Sequence, residues 1–262
     1  KEKSAVLSST INKYCTASVI IRDDLKIKIN SKDLNIKYSA ENLQDIKYGD
    51  ELDLIKAAIT IMQPDFGFEL ETYAEFDPGT GLGGSSAIVV SVLGALNYFL
   101  NERQLDIYQI ADLAYQVERI EMNLRGGWQD QYATSFGGFN WIEFDQKNVL
   151  VNPLNLQRNT LLELEYNLML FRLGGTRSSS KIQKTHIENI SRKHNKDLFN
   201  KMNKIANAMK EALLKGRLKS FADLLHDSWV LKQKINKSVT NNFITDCYDS
   251  ARELGALGGK LL

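Results

Sequence analysis

Three features of this sequence could do chemistry together: a glycine-rich stretch, Asp77-Pro78-Gly79-Thr80-Gly81-Leu82-Gly83-Gly84-Ser85-Ser86-Ala87, and two later carboxylates, Glu118 and Asp130. Four glycines fall between positions 79 and 84, two serines follow, and an apolar run continues to Leu100. Glycine lets a ligand approach the main chain closely. A glycine turn opening directly into a helix leaves several N–H groups unpaired and pointing one way. The helix dipole adds partial positive charge at the same place. Phosphate fits such a seat. Gly79, Gly81, Leu82, Gly83 and Gly84 would form the cradle. Ser85 and Ser86 stand where hydroxyls could donate to phosphate or ligate a metal.

Not every phosphate loop fits. A Walker A loop ends in Gly-Lys-Ser/Thr, and this stretch has no lysine. Gly79, Gly81 and Gly84 match the dinucleotide pattern G-x-G-x-x-G literally. That pattern also needs a second strand ending in an acid about 20 residues on. Glu102 lies near that distance, but its surroundings run from one helix towards the next.

Phosphoryl transfer needs a metal to neutralise phosphate charge and a group to orient or deprotonate the acceptor hydroxyl. Glu118 sits late in an amphipathic helix, next to Val117. Asp130 follows twelve residues later, behind the glycine pair in Gly126-Gly127-Trp128-Gln129-Asp130-Gln131-Tyr132. On residue type alone, Glu118 also reads as a surface acid paired with a nearby arginine or lysine. Asp130 also reads as a turn or cap residue.

Residues 78–87 resemble the Pro-x-x-x-Gly-Leu-Gly-Ser-Ser-Ala motif of the GHMP kinases, with Gly84 where that family usually has its first serine. Glu118, Asp130 and Phe136-Gly137-Gly138 follow in the family's order and spacing. The resemblance implies ATP and Mg²⁺, with Ser85 and Glu118 holding the metal and Asp130 acting as base or electrostatic partner of the acceptor hydroxyl. Residues 130–133 and 136–144, Thr176-Arg177-Ser178-Ser179-Ser180 and the terminal Gly255–Leu262 most resemble the D-glycero-D-manno-heptose 7-phosphate kinases. That implies a heptose 7-phosphate acceptor, phosphorylated at its anomeric hydroxyl, with Gln131 near the sugar. An arginine fork beside three hydroxyls at a helix start also suits a second phosphate, so Arg177, Ser178 and Ser179 are expected to bind the substrate's own. Trp128 departs from the lysine common in this subfamily. A fucokinase, a dinucleotide-dependent oxidoreductase and a non-catalytic binding protein of GHMP fold are the alternatives.

The elements must place these groups. β-Branched runs over Val6–Ile11 and Ala17–Ile21 read as strands, and alternation at Leu25, Ile27 and Ile29 reads as another. A short continuation covers Ile36 and Tyr38. Asp53–Met62 has helical spacing, and Gly67–Ala74 alternates into the glycine loop. Helices are expected over 85–100 and from an Asp106 N-cap to a stop at Arg125-Gly126-Gly127, then a strand over Gly138–Phe144. Tyr166–Leu173 reads as a strand. Leu198–Leu213, Leu218–Leu225 and Phe243–Leu254 read as helices, the last stopped at Gly255. The resemblance implies an α+β fold in two parts: an S5-like α/β ATP-binding part over 1–155 and a ferredoxin-like part over 156–262. Family members begin with a strand and a Gly-Gly-Gly-Thr-Asp segment and continue past Gly-Gly-Lys-Leu-Leu. Both ends are therefore expected to be incomplete.

Composition is ordinary for a soluble globular protein: 262 residues, 43% hydrophobic, 25% charged, net charge +1. No global field points to nucleic acid. Residues 181–237 are lysine-rich but lack the interleaved aromatics of a base-stacking surface. The longest apolar run, Ala87–Leu100, spans roughly 21 Å as a helix, short of a bilayer's ~30 Å core, so no membrane role is expected. Cys15 and Cys247 form no C-x-x-C pair, and His186, His194 and His226 have no metal-ligand spacing. Small-molecule partners and the cytoplasm are expected, with a homodimer left open.

Overall fold

The computed structural model describes residues 4–100, 104–145, 148–174 and 196–262. The chain forms two compact units, Thr10–Gly137 and a second made of the first nine residues with Gly138–Leu262. The division differs from the boundary near 155 because the first strand pairs with residues 139–144, which draws it into the later unit.

In the unit Thr10–Gly137, strands β2 (Cys15–Ile21), β3 (Ile27–Ser31), β4 (Ile36–Ala40) and β5 (Phe68–Ala74) form a sheet in the order β2-β5-β3-β4. The β3–β5 pair is parallel, and the others are antiparallel. Period-two alternation decides the faces. Ile27, Ile29, Phe68 and Leu70 are buried, whereas Glu69 faces out and pairs with Lys28 at 2.9 Å and Arg22 at 2.6 Å. Helices α1 (Asp53–Met62) and α2 (Gly84–Asn97) contribute Ile55, Ile59, Val89, Val92, Leu93 and Leu96 to the same core. Burying each such side chain stabilises the fold by about 1.5–3 kcal/mol.

Helix α3 (Ile107–Tyr115) starts at the expected Asp106 cap, which forms a reciprocal capping box with Gln109. It runs into a π-helical turn, Gln116–Glu121, closed by Met122 N–H donating to Val117 O at 3.0 Å. Such widened turns are rare and concentrate at functional sites. Helix α4 (Gln129–Phe136), which sequence periodicity did not reveal, follows the Gly126-Gly127 turn.

In the other unit, β1 (Ser4–Ser9), β6 (Phe139–Asp145) and β7 (Asn148–Pro153) form an antiparallel sheet in the order β1-β6-β7. Helices α5 (Arg158–Asn167), α6 (Lys196–Leu214), α7 (Leu218–Ile235) and α8 (Asn242–Glu253) accompany it. The expected strand over Tyr166–Leu173 is not formed. Residues up to Asn167 are helical, with Leu164 buried against Leu156 and Leu213. Leu168–Gly174 has no regular structure, and no strand among the described residues pairs with it. Helices beside mixed and antiparallel sheets make the fold α+β. Among the described residues no helix is long and apolar enough to cross a membrane.

Candidate active site

The glycine loop and both carboxylates lie in the unit Thr10–Gly137. Gly79, Gly81 and Gly83 adopt φ of 78°, 80° and 75°, the left-handed region that side chains resist. The Thr80 hydroxyl donates to Asp77 O at 3.1 Å and ties the turn. Gly83 is the N-cap of α2 and makes no side-chain cap. The first intrahelical bond is Ala87 N–H to Gly83 O, 3.0 Å. The amides before it lack helical acceptors and carry the positive end of the helix dipole, a seat for phosphate. Gly84 has a different reason to be glycine. A Cβ there would stand 2.6 Å from Cε2 of Phe76, so the ring occupies the space a serine would need.

The two serines separate. Ser85 is exposed, while Ser86 is 1% exposed. Ser86 Oγ lies 3.1 and 3.0 Å from the two carboxylate oxygens of Glu118. The structure thus brings Ser86, where sequence reasoning had placed Ser85, to the carboxylate. Helix phase explains the difference: adjacent residues point about 100° apart, and only one of the pair can face Glu118.

Glu118 is fully buried, at 0% exposure, within the π turn. A buried carboxylate is tolerated only when paired and hydrogen-bonded. Arg119 supplies a guanidinium nitrogen 3.3 Å from Oε2, and the Gln131 amide donates to the same oxygen. Arg119 Nε also donates to Gly127 O at 3.2 Å. Its guanidinium lies against Gly126, where a Cβ would stand 2.5 Å from Cζ. The surface-acid reading of Glu118 therefore held the correct kind of partner in the wrong environment.

Asp130 is the second residue of α4 and is half-buried. A Cβ built on Gly83 would lie 3.9 Å from its Cβ and 4.0 Å from its Cγ. Its carboxyl group thus flanks the phosphate seat. Gln131, expected beside a sugar, is instead fully buried against Glu118. Trp128 packs tilted against Tyr115 at 4.3 Å and stacks on Tyr132 at 6.3 Å. The Tyr132 hydroxyl donates to Asp112, and burial, reinforced by that carboxylate, pushes its phenol upward. Arg177, Ser178 and Ser179 lie outside the described residues.

Sequence reasoning missed Arg119, although the Gly126-Gly127 pair opposite it was visible. Ser86 Oγ, the Glu118 carboxylate and the Gln131 amide oxygen are hard oxygen donors. That amide oxygen is buried without a hydrogen-bond partner among the described residues. Among those residues no cluster of three or more His, Cys, Asp or Glu side chains forms a metal cage. Mg²⁺ in phosphoryl transfer uses one or two carboxylates and the substrate phosphates, not a full protein cage, so this donor set fits it.

Comparison with known proteins agrees with this geometry. Residues 53–138, from α1 to the end of α4, match the N-terminal domain of GHMP kinases. D-glycero-alpha-D-manno-heptose 7-phosphate kinase of Campylobacter jejuni is 35% identical over 97% of this chain and 77% of its own length. A solved D-glycero-D-manno-heptose 1-phosphate kinase from Bacteriodes thetaiotaomicron superposes with a TM-score of 0.79 at 32% identity, over 98% of this chain and 76% of that one. The bifunctional fucokinase/GDP-fucose pyrophosphorylase of Arabidopsis thaliana is 24% identical over 95% of this chain and 24% of its own length. A phosphate loop flanked by Asp130, a buried Ser86–Glu118 pair behind it, and this degree of kinship lead to one conclusion: the chain belongs to the GHMP kinases, ATP-dependent phosphotransferases, as a sugar kinase.

Proposed function

We propose that this kinase transfers the γ-phosphoryl group of ATP to the anomeric hydroxyl of D-glycero-D-manno-heptose 7-phosphate, giving the 1,7-bisphosphate. The observation that carries the reading is the 35% identity to the Campylobacter jejuni 7-phosphate kinase over 97% of this chain. The Bacteriodes protein is named for a 1-phosphate. In a heptose 1-phosphate the anomeric oxygen is already esterified, so the acceptor would have to be another hydroxyl.

The residues divide the work as follows. Amides of Gly79, Gly81, Leu82, Gly83 and Gly84, with the Ser85 hydroxyl, hold the ATP phosphates at the positive end of α2. Ser86 and Glu118 would hold Mg²⁺, which when bound neutralises phosphate charge and orients the γ-phosphoryl group. Asp130, beside Gly83, takes the proton of the acceptor hydroxyl or stabilises it as it attacks. Arg177, Ser178 and Ser179 bind the phosphate the sugar already carries. Both substrates are cytoplasmic metabolites in kind, and the reading places the enzyme there.

ADP release from Mg-ATP across a panel of sugars, headed by heptose 7-phosphate, tests this. Turnover of the heptose phosphate, lost about 10²–10⁴-fold in Asp130→Asn while ATP still binds, is expected for a base. Near-normal turnover by that variant refutes Asp130. Turnover of free fucose alone would select the fucokinase reading, which the Arabidopsis relative favours.

A further inference from the structure

Glu118 is crowded. The single Ser86 hydroxyl proton is shared between Oε1 and Oε2, Gln131 donates to Oε2, and an Arg119 guanidinium nitrogen stands 3.3 Å from Oε2. Oε2 is fully engaged, so a cation can reach it only if a donor withdraws. Ser86 can turn its hydroxyl proton away and offer an oxygen instead. Arg119 can only donate, and its second hydrogen bond to Gly127 O ties it to the loop. Gln131 is different because its amide has two faces. Nε2 faces Glu118, and the opposite assignment would set oxygen against oxygen. The other face, Oε1, is fully buried and has no hydrogen-bond partner among the described residues. Buried polar atoms are almost always satisfied, and an exception asks for a reason.

A cation beside Glu118 gives that amide oxygen a partner. Rotation about the last side-chain torsion of Gln131 swings Nε2 off the carboxylate and brings Oε1 in. Glu118 Oε2 loses one of its donors and the amide oxygen gains a partner, while Nε2 takes the buried position the oxygen leaves. We propose that Gln131 is a third protein ligand of the divalent cation, with Ser86 and Glu118, and that its amide turns over when the cation enters. The proposal rests on reading Ser86 and Glu118 as the cation site. An uncharged third ligand also leaves the site close to neutral, with Arg119 balancing Glu118, so the cation is drawn in chiefly by nucleotide phosphate.

The test separates a ligand from a mere hydrogen-bond donor. Mn²⁺ is titrated into the protein saturated with a non-hydrolysable ATP analogue, and free Mn²⁺ is read by electron paramagnetic resonance. Gln131→Leu removes both donor and oxygen and should weaken Mn²⁺ about ten-fold or more. Gln131→Glu cannot donate but keeps an oxygen in place, so it should match or exceed the parent affinity. If Gln131→Glu weakens Mn²⁺ as much as Gln131→Leu does, the residue is only a donor to Glu118 and the proposal fails. Should Gln131→Glu fold poorly without metal, the parent protein answers alone. Labelled with ¹⁵N-glutamine, its Gln131 side-chain amide resonance should move when Mg²⁺ is added to the analogue complex. An unmoved resonance also overturns the proposal. Glu118→Gln is the control for the underlying site: undiminished Mn²⁺ affinity there sinks the cation site itself, not only the part of Gln131.

Discussion

Replacing Gly126 with alanine adds one methyl group and should disable the support of Glu118. The new Cβ would stand 2.5 Å from Cζ, 2.6 Å from one terminal nitrogen and 2.9 Å from Nε of Arg119. The guanidinium must leave, because the alternative is movement of the turn that leads into α4. Two interactions go with it, the 3.3 Å ion pair to Glu118 and the 3.2 Å hydrogen bond to Gly127 O. Both involve the charged guanidinium, and such interactions are worth about 1.5–3 kcal/mol each, so about 3–5 kcal/mol should be lost. Gly127 is the internal control. It has nothing within 4 Å of a built Cβ, and neither glycine has a positive φ. Its alanine variant should change stability by less than about 1 kcal/mol. Urea unfolding read by tryptophan fluorescence gives both values. In an Arg119→Ala background the Gly126→Ala penalty should largely vanish, since the clash has lost its object. Equal penalties at 126 and 127, or an undiminished penalty without Arg119, would refute the clamp.

Gly84→Ser should destabilise by about 1–3 kcal/mol through overpacking against Phe76, and adding Phe76→Ala should recover most of the loss in thermal melts. Ser86→Ala takes a donor from buried Glu118 and should cost about 1–3 kcal/mol, whereas exposed Ser85→Ala should stay within about 0.5 kcal/mol; the reverse order by denaturation would overturn the assignment of Ser86. Burial, with Asp33 and Glu75 adding to it, pushes the Cys15 thiol up to about 11. A raised thiol pKa means less thiolate at a given pH, so iodoacetamide labelling in a Cys247→Ser background should climb about ten-fold per pH unit until near 11; a plateau near pH 9 would contradict it.

Much of the fold was legible because local pattern and burial agree. Asp53–Met62 has one apolar stripe and forms the expected helix. Gly67–Ala74 alternates and forms β5 within one residue. The failure at Tyr166–Leu173 shows where pattern runs out. Leu168-Met169-Leu170-Phe171 is a short continuous apolar run, which periodicity cannot assign to strand or helix. A strand also needs a neighbour to satisfy its backbone, and neighbours are a property of topology. With no paired strand among the described residues, the run stays irregular and its side chains exposed. The opposite error hid α4. Gln129–Phe136 is too short and too polar to show a stripe, and it is held as a helix by packing against α2 and α3.

At the site, residue types were legible and directions were not. A glycine loop with two serines and two carboxylates in order announces phosphate chemistry, but which serine meets Glu118 depends on where α2 begins. Its start is set by Gly83 at φ 75°, and a start one residue later would rotate each serine by about 100°. Arg119 was invisible for a related reason. Neighbours i and i+1 on a regular helix do not face each other, so an arginine beside a glutamate is not expected to neutralise it. Here the π turn departs from regular spacing, and the long arginine stem reaches both the Glu118 carboxylate and the Gly127 carbonyl. The charge that permits a buried acid behind the phosphate loop is thus supplied from the adjacent position. The space it needs comes from Gly126, seven residues on, whose missing side chain is the sign of that arrangement left in the sequence.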